Sequence, residues 1–201
     1  LSFVTTADKT GKKTYRRSVT LLMQKAVCNL WGDDGVTVRV MYSLGQGYYC
    51  ELRGKNEEGD YRVAVDGDKI AAIKAEMQRL VEADLEIEKR SMNTDDAIAL
   101  FHELGMTDKE KLFRYRRSSR VNIYVLDHYK DYFYGFMVPS TGYLRCYDVI
   151  TYEDGFMLLF PDKNTREVAE FHPSGKLFST LKKSREWGKM QEIDTIGALN
   201  D

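Results

Sequence analysis

The side chains able to do chemistry are few and widely spaced. The three histidines are His102, His128 and His172. None has a His or Cys three or four residues away, so no helical metal pair can form. Cys28, Cys50 and Cys146 are too scattered for a disulfide framework and lack metal-ligand spacing. Isolated thiols fit small core-filling roles in a reducing cytoplasm. The pairs Gly11-Lys12, Gly54-Lys55, Gly175-Lys176 and Gly188-Lys189 are followed by Lys13, Asn56, Leu177 and Met190. None completes the Gly-Lys-Ser/Thr turn of a phosphate-binding loop. The densest cationic stretch is Arg114-Tyr115-Arg116-Arg117-Ser118-Ser119-Arg120. Arginines interleaved with Tyr and Ser suit phosphate holding and base stacking, so Arg114, Arg116, Arg117 and Arg120 are candidate phosphate- or RNA-binding residues. The competing structural reading is a helix end whose cations suit the dipole. Arg16-Arg17 is a second, weaker basic spot. Tyr129, Tyr132, Phe133, Tyr134 and Phe136 form an aromatic run beside the turn Val138-Pro139-Ser140-Thr141-Gly142. Such a run either packs into a core with an exposed edge row or lines a cleft.

These residues are carried by a chain of 201 residues with 30 basic and 31 acidic side chains, 43% hydrophobic and 30% charged. That composition is globular and long enough for one large domain or two small ones. A net charge of −1 excludes recognition of polyanions by bulk charge, though not by a local patch. No apolar run approaches the ~20 residues of a membrane helix, and no signal peptide opens the chain. The cytoplasm is the expected compartment. Beginning at Leu1 rather than Met, the chain is expected to be cut from a longer product.

Periodicity supplies the elements. Val19, Leu22, Met23, Ala26, Val27 and Leu30 recur at helical spacing from Tyr15 onward, and Gly32-Asp33-Asp34-Gly35 ends that helix. Val36–Val40 and Tyr48–Leu52 read as a hairpin around Gly45-Gln46-Gly47, with a third short strand at Tyr61–Val65. Asp66-Gly67-Asp68 offers an N-cap to a helix marked by Ile70, Ile73, Met77, Leu80 and Val81. A short strand begins at Ile87. Asn93 or Thr94 caps a helix ending at Gly105, and Asp108–Tyr115 is another. Val121–Leu126, Asp131–Tyr134, Tyr143–Ile150 and Gly155–Phe160 are β-prone, and Lys176–Met190 is a last helix. Mixed helices and antiparallel-looking strands without βαβ alternation predict an α+β fold, an antiparallel sheet with packed helices.

Several segments together resemble a known family. Arg16-Arg17-Ser18 opening a helix, Gly47-Tyr48-Tyr49-Cys50-Glu51, Ile73-Lys74-Ala75-Glu76-Met77 and Asp131 through Gly142 resemble, in order, the second N-terminal domain of threonyl-tRNA synthetases. That resemblance implies an α+β domain over 15–175 with a cleft that edits mischarged tRNA. It also implies that 1–14 is a lead-in or the end of a small β-grasp, TGS-like domain. The family marks its cleft with His-x-x-x-His on the first helix and Cys-x-x-x-His later. Here Arg17 and Leu21, then Phe133 and Met137, stand at those positions. Leu, Phe and Met move no protons, and Arg17 stays protonated. Editing chemistry therefore does not carry over, and the resemblance leaves a candidate pocket of Arg17, Leu21, Phe133, Tyr134 and Met137.

A second resemblance covers more of the chain. Tyr15 through Ser18, Ser43 through Cys50, Asp131 through Gly135, Trp187-Gly188 and Ile196 through Asn200 are similar to the N-terminal region of bacterial uridine kinase-like nucleoside kinases. It implies a non-catalytic accessory domain, with 176–201 as a helix and linker toward a P-loop kinase domain outside the chain. ATP and Mg would belong to that domain, and no cofactor or metal is expected here. A nucleoside, an aminoacyl-adenosine-like ligand or an RNA end is the expected ligand. The alternatives are a tRNA-binding or trans-editing domain, or a purely structural dimerisation domain.

Overall fold

A computed structural model of the chain describes residues 5–190, apart from 46, 58, 163, 164, 166, 169 and 174. Residues 191–201 of the expected C-terminal helix and linker (176–201) and residues 1–4 of the expected lead-in lie outside the described residues. In chain order the elements are α1 (Lys9–Trp31), β1 (Thr37–Leu44), β2 (Gly47–Asn56), β3 (Gly59–Val63), α2 (Gly67–Glu82), β4 (Ile87–Asn93), α3 (Thr94–Glu103) and α4 (Thr107–Arg114). There follow β5 (Arg120–Leu126), β6 (Tyr129–Tyr132), a 3-10 turn (Thr141–Tyr143), β7 (Asp148–Tyr152), β8 (Gly155–Leu159) and α5 (Gly175–Met190). The chain divides into two compact units, 1–88 with 125–172, and 89–124 with 173–201.

Unit 1 is built on a five-stranded antiparallel sheet in the order β1-β2-β8-β7, with β3 also paired to β2. Strand β1 covers one edge of β2. The other edge is shared, β8 pairing Gly47–Cys50 and β3 pairing Leu52–Asn56. Helices α1 and α2 bury their apolar stripes against this sheet. Val19, Leu22, Met23, Ala26 and Val27 meet Ile73, Met77 and Leu80 and the strand residues Cys50, Leu52, Val149, Phe156 and Leu158, all nearly or fully buried. The α+β architecture is as the residues predict, with three- and four-residue spacing in helices and packed antiparallel strands. The hairpin β1-β2 and the Asp66 cap are also in place; the Asp66 carboxylate accepts from Lys69 N at 2.8 Å.

Two local expectations need correction. Helix α1 begins at Lys9 rather than Tyr15. Its first turns are polar all round, so they carry no apolar stripe to read. They are fixed instead by Asp8, whose carboxylate accepts from Thr5 N at 2.8 Å while its carbonyl accepts from Lys12 N at 2.8 Å. The β-prone stretch from Tyr143 becomes a strand only at Asp148. Leu144 N instead closes the 3-10 turn on Thr141 O, and the Cys146 N–H and carbonyl are both taken by the Tyr15 hydroxyl of α1.

Unit 2 contains α3 and α4, the greater part of β4 and β5, and α5. Phe101 and Phe113, both fully buried, stack at 5.4 Å with planes 15° apart. Gly105, expected to stop α3, does so in a left-handed conformation (φ +66°). Its N–H reaches His102 O and that of Met106 reaches Phe101 O, the paired bonds of a Schellman ending. The three-stranded sheet runs β4-β5-β6.

Candidate functional site

In unit 1 the face of interest is where α1 meets the loop after β6. Arg17, Leu21 and Lys25 recur every four residues and share one side of the helix. Ser18, fully buried, ties loop to helix: its hydroxyl donates to Thr14 O at 2.9 Å and accepts from Val138 N at 3.0 Å. Arg17 Nη1 donates to Phe136 O at 3.4 Å. Gly135 adopts φ +110°, and a Cβ there would stand 2.6 Å from Arg17 Nη1, so a glycine lets the loop lie on the guanidinium. The other end of the loop is latched to α2. Thr141 Oγ1 donates to Leu80 O at 2.6 Å and accepts from Leu85 N at 2.8 Å. The Asp84 carboxylate accepts from Ser140 Oγ at 2.5 Å and Gly142 N at 2.9 Å. Those two donors hold the Asp84 carboxyl below its ordinary pKa.

This framework sorts the five residues of the expected pocket. Arg17, Phe133 and Met137 are half-buried, whereas Tyr134 is 78% exposed. Leu21 is completely buried and presents no surface to a ligand. Phe136, 65% exposed, and Tyr143, 63% exposed, add aromatic surface to the same loop and its continuation. The neighbouring Arg16 sits over the rings of Phe160, 5.0 Å from the centroid, and Tyr48, at 5.9 Å. Tyr15 closes this side: its hydroxyl accepts from Cys146 N at 2.8 Å and donates to Cys146 O at 3.2 Å. Burial pushes the Tyr15 phenol up to about 12.

One cluster escaped the sequence reading. Lys25 has only 1% of its side chain exposed. Its ammonium donates to Asp127 Oδ2 at 2.9 Å and lies 2.9 Å from both ring nitrogens of His128. The hydrogen bond from Lys25 brings the Asp127 carboxyl down to about 2. Asp127 and His128 form the two-residue turn between β5 and β6, with Asp127 left-handed at φ +55°. The available signal was a lysine one turn beyond Leu21 on a helix face that otherwise buries apolar residues.

In unit 2 the cationic stretch divides. Arg114 and Arg116 line a groove of about 440 Å3 together with Phe113, Ser118, Ser119 and the start of α3. Arg114 Nη2 bonds Glu110 Oε1 at 2.5 Å, and His102 Nδ1 lies 3.1 Å from Glu110 Oε2. Arg120 is a brace between strands, donating to Ser91 Oγ at 3.1 Å, Ser91 O at 3.2 Å and Asn93 Oδ1 at 3.5 Å. Arg117 is exposed. Among the described residues, no three His, Cys, Asp or Glu side chains gather as metal ligands would. None of the described helices is long and apolar enough to cross a membrane.

No family model matches the chain. It is similar to threonine–tRNA ligases: 31% identical over 147 residues to that of Syntrophotalea carbinolica, covering 73% of this chain and 22% of the relative. Against the enzyme of Methylobacillus flagellatus the figures are 27% over 151 residues, 75% and 22%. Against that of Nitratidesulfovibrio vulgaris they are 27% over 141 residues, 70% and 20%. The chain thus spans about a fifth of the length of the curated relatives it matches. These relatives support the expectation of a threonyl-tRNA synthetase-like region and lend nothing to that of a uridine kinase.

Proposed function

We propose that unit 1 is a tRNA-end-binding module, related to the editing region of threonyl-tRNA synthetases, that holds the terminal nucleotides without hydrolysing the ester. The observation that carries this reading is the pinned Arg17: a half-buried guanidinium fixed to the Phe136 carbonyl, beside the exposed rings of Tyr134 and Phe136. A guanidinium held in place meets phosphate oxygens with little ordering cost. Exposed aromatic faces stack unpaired bases, each worth roughly 1–3 kcal/mol. Likeness to threonine–tRNA ligases over most of the chain supports tRNA as the nucleic acid. Hydrolysis needs a group that takes a proton from water. At the four positions where the family carries His and Cys, this chain has Arg17, Leu21, Phe133 and Met137, none of which does so. The compartment that fits is the cytoplasm.

Binding of uncharged threonine tRNA, intact and shortened at its 3′ end, tests the reading. Shortening the end and Arg17→Ala are each expected to weaken binding several-fold. Mischarged threonine tRNA is expected to hydrolyse no faster than in buffer. Indifference to the 3′ end removes the reading, and hydrolysis above buffer replaces it with an editing one.

A further inference from the structure

We propose that unit 1 carries a second nucleotide subsite beside the Arg17 site: Tyr143 and Arg145 take the base and the phosphate of the next unpaired nucleotide inward from the tRNA 3′ end. It rests on the proposed function for its ligand. The segment that carries both residues is fixed along its length. Thr141 is latched to Leu80 and Leu85, and Leu144 N donates to Thr141 O at 2.9 Å. The Cys146 N–H and carbonyl are both bonded to the Tyr15 hydroxyl. Leu144, fully buried, anchors the middle, while Tyr143 and Arg145 on either side of it are exposed. Arg145 Nε donates to Gly142 O at 3.0 Å. The guanidinium therefore folds back to the residue before Tyr143, and ring and charge leave the surface together. Tyr15, which grips the residue after Arg145, stands two residues before Arg17 in α1, so one side chain joins the two subsites.

Its partner separates Arg145 from other arginines of unit 1. Arg39, Arg53, Arg62 and Arg79 pair with the carboxylates of Asp60, Glu51, Asp154 and Glu76. Each such pair cancels the charge that a phosphate would seek. Arg17 and Arg145 bond backbone carbonyls instead. A carbonyl orients a guanidinium without neutralising it. With Nε engaged, the Nη1–Nη2 edge of Arg145 is left for a bidentate grip on phosphate. The Ser140 and Gly142 bonds, and after them the charge of Arg145, hold the Asp84 carboxyl below its ordinary pKa, yet no ion pair joins Asp84 to Arg145 among the described residues. Unit 1 is acidic overall, so a phosphate is held there by a placed guanidinium rather than by diffuse charge. An acidic peptide would use the guanidinium and leave the Tyr143 ring idle. A nucleotide uses both, because every base has a face that stacks on an aromatic ring.

The test is equilibrium binding of the full chain to uncharged threonine tRNA in three forms: intact, without its terminal nucleotide, and without its whole unpaired 3′ end. Tyr143→Ala and Arg145→Ala should each weaken binding of the first two forms about fivefold or more, the worth of one stacked base or one charged hydrogen bond, and leave the third unchanged. Arg145→Ala should also lower the salt slope by about one, as loss of one phosphate contact does, whereas Tyr143→Ala leaves it as it was. Tyr143→Phe, which keeps the ring, should bind like the parent. Parent-like affinity of Tyr143→Ala or Arg145→Ala for intact tRNA, or an equal loss on the form without the unpaired end, overturns the subsite. If the parent chain nonetheless loses affinity when the terminal nucleotide is removed, the proposed function stands without it. If the parent is indifferent to the terminal nucleotide, yet both variants bind intact tRNA more weakly and the stem equally well, the Arg17 site falls and this subsite remains.

Discussion

The two units hold their candidate sites by different means. In unit 1 the Arg17 face depends on buried backbone bonds: Ser18 to Thr14 and Val138, Thr141 to Leu80 and Leu85. In unit 2 the groove depends on exposed charges over one stacked Phe pair, with Arg114 and Arg120 tethered by surface bonds. The charges differ too. Residues 1–88 and 125–172 carry 17 Lys and Arg against 22 Asp and Glu, the opposite balance to 89–124. A site can thus change its chemistry while its frame stays, provided the frame is made of hydroxyl-to-backbone bonds that ignore the neighbouring side chains. The tethered arginines of unit 2 have no such separation, because the side chains of Arg114 and Arg120 that carry the charge also make the bonds.

The sharpest way to break the comparison is Phe113→Ala. Removing a fully buried ring costs about 3–5 kcal/mol. In the small unit 2 it should remove hydrogen-exchange protection from α3 and α4 while α1 and α2 keep theirs; uniform loss would mean that the units unfold as one. Thr141→Val comes next. It leaves Leu80 O and Leu85 N without their shared partner, costing about 1–3 kcal/mol, and should lower the unfolding midpoint of unit 1 while α3 and α4 keep their hydrogen-exchange protection. Tyr15→Phe is smaller near neutrality and distinctive in alkali. The Tyr15 phenol rises to about 12 in the fold, against about 10 unfolded. Its contribution is therefore complete below about pH 10 and disappears as pH climbs through about 12. Denaturant titrations of Tyr15→Phe should show a shallower fall in stability across that window, by about one proton. The smallest effect belongs to Arg120→Ala, which removes exposed braces and should shift stability by less than about 1 kcal/mol.

How legible this was from sequence depends on whether a feature is local. Helices α2 and α3 follow from spacing, Asp66 and Gly105, because cap, stripe and stop are neighbours in the chain. The start of α1 was hidden, since Lys9 to Thr14 show no stripe and the stabilising group, Asp8, works through Thr5. The segment from Tyr143 read as a strand because propensity is local, whereas Thr141 is bound to residues about sixty positions away. The same limit governs the sites. Arg17 and the aromatic run could be named, but not the loop carbonyl that fixes Arg17. Lys25 met its partners, over 100 residues distant, only in the fold. Among the arginines, sequence proposed four equal members, and the structure then showed Arg114 tethered to Glu110 and Arg120 bracing Ser91 and Asn93.

Lys25 also gives the molecule a built-in chemical stopwatch. An amine with 1% of its side chain exposed, stoppered by the turn Asp127-His128, is out of reach of acylating reagents while that turn is shut. Surface lysines such as Lys55 and Lys176 react at the reagent's own pace. Labelling at Lys25 is paced by opening of the hairpin, so mass spectrometry of one peptide would time how often the far end of the Arg17 face comes apart.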